Sequence, residues 1–266
     1  TLGASTTGCS NVAIGAGALG GADTTGKFNT AIGSSAMDAL TTGLCNIALG
    51  VNALGASTTG CNNIAIGELA MGATVTTGTH NIAIGVNAAD ALLAGIHNVA
   101  IGTNAFGAGT SGTHNVAVGN DALGSAAVTG NSNIGLGSSA GNALTSGACN
   151  IVMGENAFGA GTTGCNNIAI GEVALGAGVT TGNDNIAIGR VNSDALTTGI
   201  NNVAMGTGTY GAATTGCYNV AIGYVALAGV VAKSGSDDGC SNVAIGRNTA
   251  DALTCGYNNV ALGRHA

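Results

Sequence analysis

Polar and apolar positions follow one short frame that returns along the whole chain. An asparagine is followed by an aliphatic residue, a small residue, a second large aliphatic residue and a glycine, as in Asn167-Ile168-Ala169-Ile170-Gly171. The anchoring asparagine recurs at Asn11, Asn29, Asn46, Asn63, Asn81, Asn98, Asn115, Asn133, Asn150, Asn167, Asn185, Asn202, Asn219, Asn242 and Asn259. A glycine lies three residues before and four residues after each anchor. Alternation predicts a short strand, with Ile168 and Ile170 on one face and Asn167, Ala169 and Gly171 on the other. No unit this short buries an aliphatic pair alone, so the expectation is a stack whose core is the Ile168 and Ile170 columns. Stacked at about 4.8 Å, the asparagine amides are expected to bond along the axis as a ladder. The paired glycines mark unusual backbone dihedrals or a close approach between neighbours. An aspartate at Ile170 is then expected to disrupt the stack, and a change at Glu172 to do little.

Spacing refines the picture. Successive anchors are 18, 17 and 17 residues apart in a repeating order, so the larger unit is 52 residues holding three coils. One coil type carries Thr-Thr-Gly, as at Thr180-Thr181-Gly182. A second carries Asp-Ala-Leu, as at Asp194-Ala195-Leu196, with Asn142-Ala143-Leu144 as its variant. The third reads Asn156-Ala157-Phe158-Gly159-Ala160-Gly161. Each coil is expected to hold two or three short strands between Gly- or Thr-rich corners, and helix is not expected, because glycine interrupts every half-coil. The fold class is thus all-β, a parallel β-solenoid occupying residues 1–266 as one repeat domain of about fifteen coils, some 70 Å long at ordinary strand spacing. Between Asn219 and Asn242 the spacing widens to 23 residues. The polar stretch within 229–238 is expected to loop out and present Lys233, Asp237 and Asp238 as a candidate contact loop. A tolerated insertion is the alternative.

Composition suits a narrow coil. The chain has 49 glycines, no proline, no tryptophan and 3% aromatic residues. A net charge of -7 with five Lys and Arg gives no cluster to neutralise phosphates, so nucleic acid is not an expected partner. The longest apolar run, Val225 to Ala232, is too short to span a bilayer as a helix.

The hexads Asn62-Asn63-Ile64-Ala65-Ile66-Gly67 and Asn166-Asn167-Ile168-Ala169-Ile170-Gly171 resemble the head repeat of trimeric autotransporter adhesins. The longer frame, with Ala-Leu and Thr-Thr-Gly following, is similar to repeat shafts of phage tail fibres and related bacterial surface proteins. The resemblance covers essentially the whole chain. It implies an extracellular structural fibre, commonly trimeric, serving as a shaft or adhesive head on a virion or cell exterior. Its partners would be copies of itself and a cell-surface receptor. The chain also opens and closes in mid-coil, and Ala266 followed by Thr1 restores an 18-residue spacing. This leads to the expectation of head-to-tail stacking, or of a window from a longer shaft.

Candidate chemistry is sparse. His80, His97 and His114 precede the anchor on three consecutive coils and should stack about 5 Å apart. Such a column suits a transition metal or a shared titration near pH 6. The same column holds Phe28, Asn62, Ser132 and Asp184 elsewhere, which reads as a variable surface position. The Asp-Ala-Leu carboxylates fall on every third coil, too far apart for an acid/base pair, and are expected to bond local backbone amides. Among the cysteines only Cys217 and Cys240 share a column on adjacent coils; the expectation for the eight is small buried thiols. No catalytic group, cofactor or metal is expected. The alternative function is an ice-binding or other surface-binding solenoid. Against it, Thr180 and Thr181 should point to opposite faces, leaving one threonine column, broken at Leu93 and Val128.

Overall fold

The computed structural model describes residues 7–229 and 239–266. The candidate contact loop, Lys233, Asp237 and Asp238, lies outside the described residues. The chain forms two compact units, residues 1–132 and 133–266. In the first, seven strands follow one another: β1 (Val12–Ile14), β2 (Thr30–Ile32), β3 (Ile47–Leu49), β4 (Ile64–Ile66), β5 (Ile82–Ile84), β6 (Val99–Ile101) and β7 (Val116–Val118). The second holds eight: β8 (Ile134–Leu136), β9 (Ile151–Met153), β10 (Ile168–Ile170), β11 (Ile186–Ile188), β12 (Val203–Met205), β13 (Val220–Ile222), β14 (Val243–Ile245) and β15 (Val260–Leu262). Within each unit every strand pairs in parallel with the next, and in register. Ile168 lies beside Ile186, Ala169 beside Ala187 and Ile170 beside Ile188. The protein is a β-solenoid, and no helix occurs among the described residues.

Each coil contains one strand of three residues, not two or three strands. The rest of the coil is turn, because its backbone enters the left-handed region repeatedly. Residues of that conformation stand just before the anchor (Asn166, φ 58), six residues past it (Val173, φ 57) and eight past it (Leu175, φ 50). Left-handed backbone costs a non-glycine residue about 1–2 kcal/mol, so the surrounding packing must impose it.

The strand faces the opposite way from the expectation. Ala169, with its equivalents Ala31, Ala48, Ala65 and Ala83, is fully buried, and so is Asn167. Ile168 and Ile170 lie on the outer face, half-buried, and their counterparts Ile47, Leu49 and Ile14 are exposed. Alternation divides the residues into two faces correctly but does not say which face is inside. The reason for the inversion is room. A coil this short, folded into tight turns, encloses space at the strand centre only for a methyl group, so alanine points in and the branched side chains point out. Where one centre shrinks, its neighbour grows: Gly135 pairs with Val152, and Val152 is fully buried.

The larger hydrophobes come from the turns. Leu19, Leu54, Met71, Leu123 and Leu175 are fully buried eight residues past their anchors. Here the three-coil unit finds its physical cause. Where that position is small, as at Ala89, Gly141 and Ser193, a leucine three residues later fills the space: Leu92, Leu144 and Leu196, all fully buried. Where it is Phe106 or Phe158, the residue three later is glycine. A methyl at Gly109 or Gly161 would stand 2.5 Å from the phenylalanine ring. Three coil types share one core volume by exchanging bulk between two positions.

The inverted faces make a direct test. Ala169→Asp places an unpaired carboxylate in the closed interior and should remove several kcal/mol of stability. Ile170→Asp, on the outer face, should cost far less. Thermal melts of the two variants followed by circular dichroism should therefore separate widely; equal losses would restore the opposite orientation.

Candidate functional site

The inner edge of the sheet carries the most regular chemistry in the molecule. Each anchor asparagine donates its backbone N–H to the side-chain Oδ1 of the preceding anchor in its unit, at 2.8–3.1 Å. Its side-chain Nδ2 donates forward, at 2.7–3.0 Å, to the carbonyl of the glycine three residues before the next anchor. Most Nδ2 groups also reach the preceding Oδ1, as Asn185 does to Asn167 at 3.1 Å. The expected ladder is present, and it is buried. Among the described residues no buried side-chain nitrogen or oxygen lacks a partner.

Both glycine columns follow from this closeness. A Cβ at Gly164 would meet the Gly182 carbonyl oxygen at 2.6 Å and the Asn167 amide nitrogen at 2.8 Å. Gly171 turns the chain out of the strand at φ 128, and a Cβ there would stand 2.5 Å from the Gly189 carbonyl oxygen. Tyr210 adds one more buried polar contact. It is fully enclosed, its hydroxyl accepts from Asn219 Nδ2 at 2.8 Å, and burial raises the phenol above its ordinary range.

The outer surface carries the remaining candidates. His80, His97 and His114 form the expected column, exposed and stacked with ring centroids 4.9 and 5.0 Å apart. His80 Nδ1 lies 3.0 Å from the Thr79 hydroxyl. Among the described residues no group of three or more His, Cys, Asp or Glu converges on a point suited to a metal ion. Among the described residues no disulfide joins any of the eight cysteines, Cys217 and Cys240 included. The small-buried-thiol expectation holds only for Cys240; Cys9, Cys45, Cys149 and Cys255 are exposed and the other three half-buried. The half-buried ones occupy the position two before the anchor, where Cys61 and Cys165 donate weakly to the carbonyls of Thr59 and Thr163.

The two threonines of each corner do point oppositely. Thr180 is fully buried and donates to the Leu196 carbonyl at 2.9 Å, while Thr181 is exposed. The column interrupted at Leu93 and Val128 is buried at Thr24, Thr76 and Thr180, half-buried at Thr162 and Thr197 and exposed at Leu93, while its neighbour, Thr163, Thr181 and Thr198, is exposed.

The carboxylates of Asp90 and Asp194 bond local backbone amides, as expected. Burial raises the Asp90 and Asp194 carboxyls above the ordinary carboxylate range, while their own backbone amides and those of Ala91 and Ala195 pull the other way. No protein-family model, curated protein or solved structure matches the chain.

The raised carboxyls carry a sign. Folding favours the protonated form, so their stabilising contribution exists at acid pH and is lost as pH rises through the raised value. Asp194→Asn, which copies Asn142 of the equivalent coil, should therefore melt higher than the parent at pH 7. The gap should close as pH falls below about 3.9, the ordinary aspartate value. A gap that widens on acidification would reverse the assignment.

Proposed function

We propose that the chain is a non-enzymatic structural protein, a repeat segment of a fibre on a virion or cell exterior that assembles with copies of itself. The observation that carries this reading is the axial ladder. In each unit every coil is tied to both neighbours by the same buried amide bonds, in one direction and in register. Bonds in series along one axis resist pulling along that axis, and identical coils extend length without a new core. The resemblance of the Asn-x-Ala-Ile-Gly frame to tail-fibre shafts and adhesin heads supports the exterior location and an adhesive role.

Electron micrographs of the purified 266-residue chain at high concentration test the reading. Fibres of uniform width without thermal hysteresis in solution are the expected result. Dispersed particles that never associate would contradict the fibre, and measurable thermal hysteresis would favour the ice-binding alternative.

A further inference from the structure

The outer face of the second unit is written to match itself. It is built from the two aliphatic columns of the strands and, just past the turning glycine, a column of exposed residues five positions after each anchor. From the coil of β9 to that of β15 this last column reads Glu155, Glu172, Arg190, Thr207, Tyr224, Arg247 and Arg264. Acid stands at one end and base at the other, and all seven residues are exposed. The corresponding column of the first unit is almost uncharged, with Glu68 its only ionised residue.

We propose that this face binds the same face of a second copy, as an isologous pair related by a two-fold axis through the Thr207 coil. That axis lies along the strands, so it keeps strand direction and reverses coil order. Coils equally far from Thr207 then meet. Glu155 faces Arg264 of the second copy, Glu172 faces Arg247, and Arg190 faces Tyr224. Within one chain Arg247 already sits 5.5 Å from the centre of the Tyr224 ring, so this column accommodates cation–π contact. Symmetry doubles each pair. No other register of this arrangement sets both glutamates against arginines: one coil of slip leaves Glu172 on Tyr224 or Glu155 without a partner, and Glu155 on Arg190 would put Glu172 on itself.

The apolar columns agree with the charges, independently of them. One position past the anchor, the acidic half carries Ile151, Ile168 and Ile186, and the basic half carries Val220, Val243 and Val260. The same axis lays each isoleucine against a valine, which keeps the summed volume constant from pair to pair. The third position sets Ile170 against Ile245 and Ile188 against Ile222. The column just before the anchor brings no like charges together, since Asp184 meets Tyr218. Reversing strand direction instead would place Glu155 against Cys149 and Glu172 against Asn166, with neither acid answered.

Area sets the strength. Five residues of about 3.3 Å across seven coils of about 4.8 Å make roughly 550 Å² per partner, below the ~800 Å² of a standard stable interface. The pair is therefore a weak one, dissociating in the micromolar range. Its rim charges mainly fix register and exclude other registers. The inference does not depend on the fibre reading, because a chain that never forms fibres presents the same face.

Sedimentation velocity of the full chain from about 1 to 100 µM tests it, with two single variants, Glu172→Arg and Arg247→Glu. Both residues are exposed, so circular dichroism should match the parent. The parent should dimerise, and each variant alone should weaken the dimer roughly tenfold, because two like-charge contacts replace two attractive ones. Mixed in equal amounts, the two variants should pair with each other and recover affinity. Of the two contacts in that mixed pair, one sets the native Glu172 of the Arg247→Glu chain against the native Arg247 of the Glu172→Arg chain. The other sets the introduced arginine against the introduced glutamate, so both contacts are attractive. The single variants are therefore repulsive each with itself and attractive when mixed. The double variant, Glu172→Arg with Arg247→Glu, restores both contacts with reversed sign and should recover the parent's affinity with itself. Combined with the parent, the double variant meets like charge at both contacts and should not pair. A general effect of net charge cannot give that selectivity, because the double variant has the parent's net charge. A parent that stays monomeric at 100 µM, a trimer in place of a dimer, or a double variant no tighter than the single ones would each overturn the proposal.

Discussion

Everything in this fold depends on an asparagine side chain held between two coils. It needs an acceptor to take the N–H of the following anchor and a donor to reach the glycine carbonyl of that same next coil. Aspartate lacks the donor, and glutamine is one methylene too long for the same span. With the amide buried, each unmade bond would cost about 1–3 kcal/mol, so the ladder enforces register at every step. The two glycine columns are a consequence, because at Gly164 and Gly171 the neighbouring coil's backbone already occupies the space of a Cβ.

The ladder also explains the strained turns. To bring each anchor over the last, the chain must close every coil within the short anchor spacing, and it does so through left-handed residues such as Leu175 and Phe158. Their side chains are then driven inward, where they fill the core that the alanine centres leave narrow. Burial of a leucine or phenylalanine, worth about 1.5–3 kcal/mol, offsets a local backbone cost of similar size. Bulk moves between the two inward turn positions, as Ala89 with Leu92 or Phe106 with Gly109, and this exchange sets the three-coil period.

Much of this was legible in the sequence. Period, strand position, ladder and glycine columns follow from spacing alone, and the histidine stack follows from three consecutive coils. Orientation was not, because alternation separates faces without choosing between them, and isoleucine is the more hydrophobic of Ile168 and Ala169. A signal was present in the near-constancy of alanine at the strand centre and its one compensated exception, Gly135 beside Val152, which marks confined space. The left-handed leucines had no local signal, since such residues avoid that conformation unless tertiary packing imposes it. The outward aliphatic columns became meaningful only with the orientation known: the same residues that would have been core are surface available to another molecule.

The most direct test of the buried ladder compares two adjacent asparagines. Asn167 belongs to it, with both ends of its amide bonded inside the coil, while the neighbouring Asn166 is exposed. Hydrogen exchange of their side-chain NH₂ groups, followed by nuclear magnetic resonance on isotopically labelled protein, reads the difference without any mutation. The account predicts that Asn167 exchanges orders of magnitude more slowly than Asn166, as slowly as the strand amides of Ile168 and Ile170. Equally fast exchange at both would contradict it.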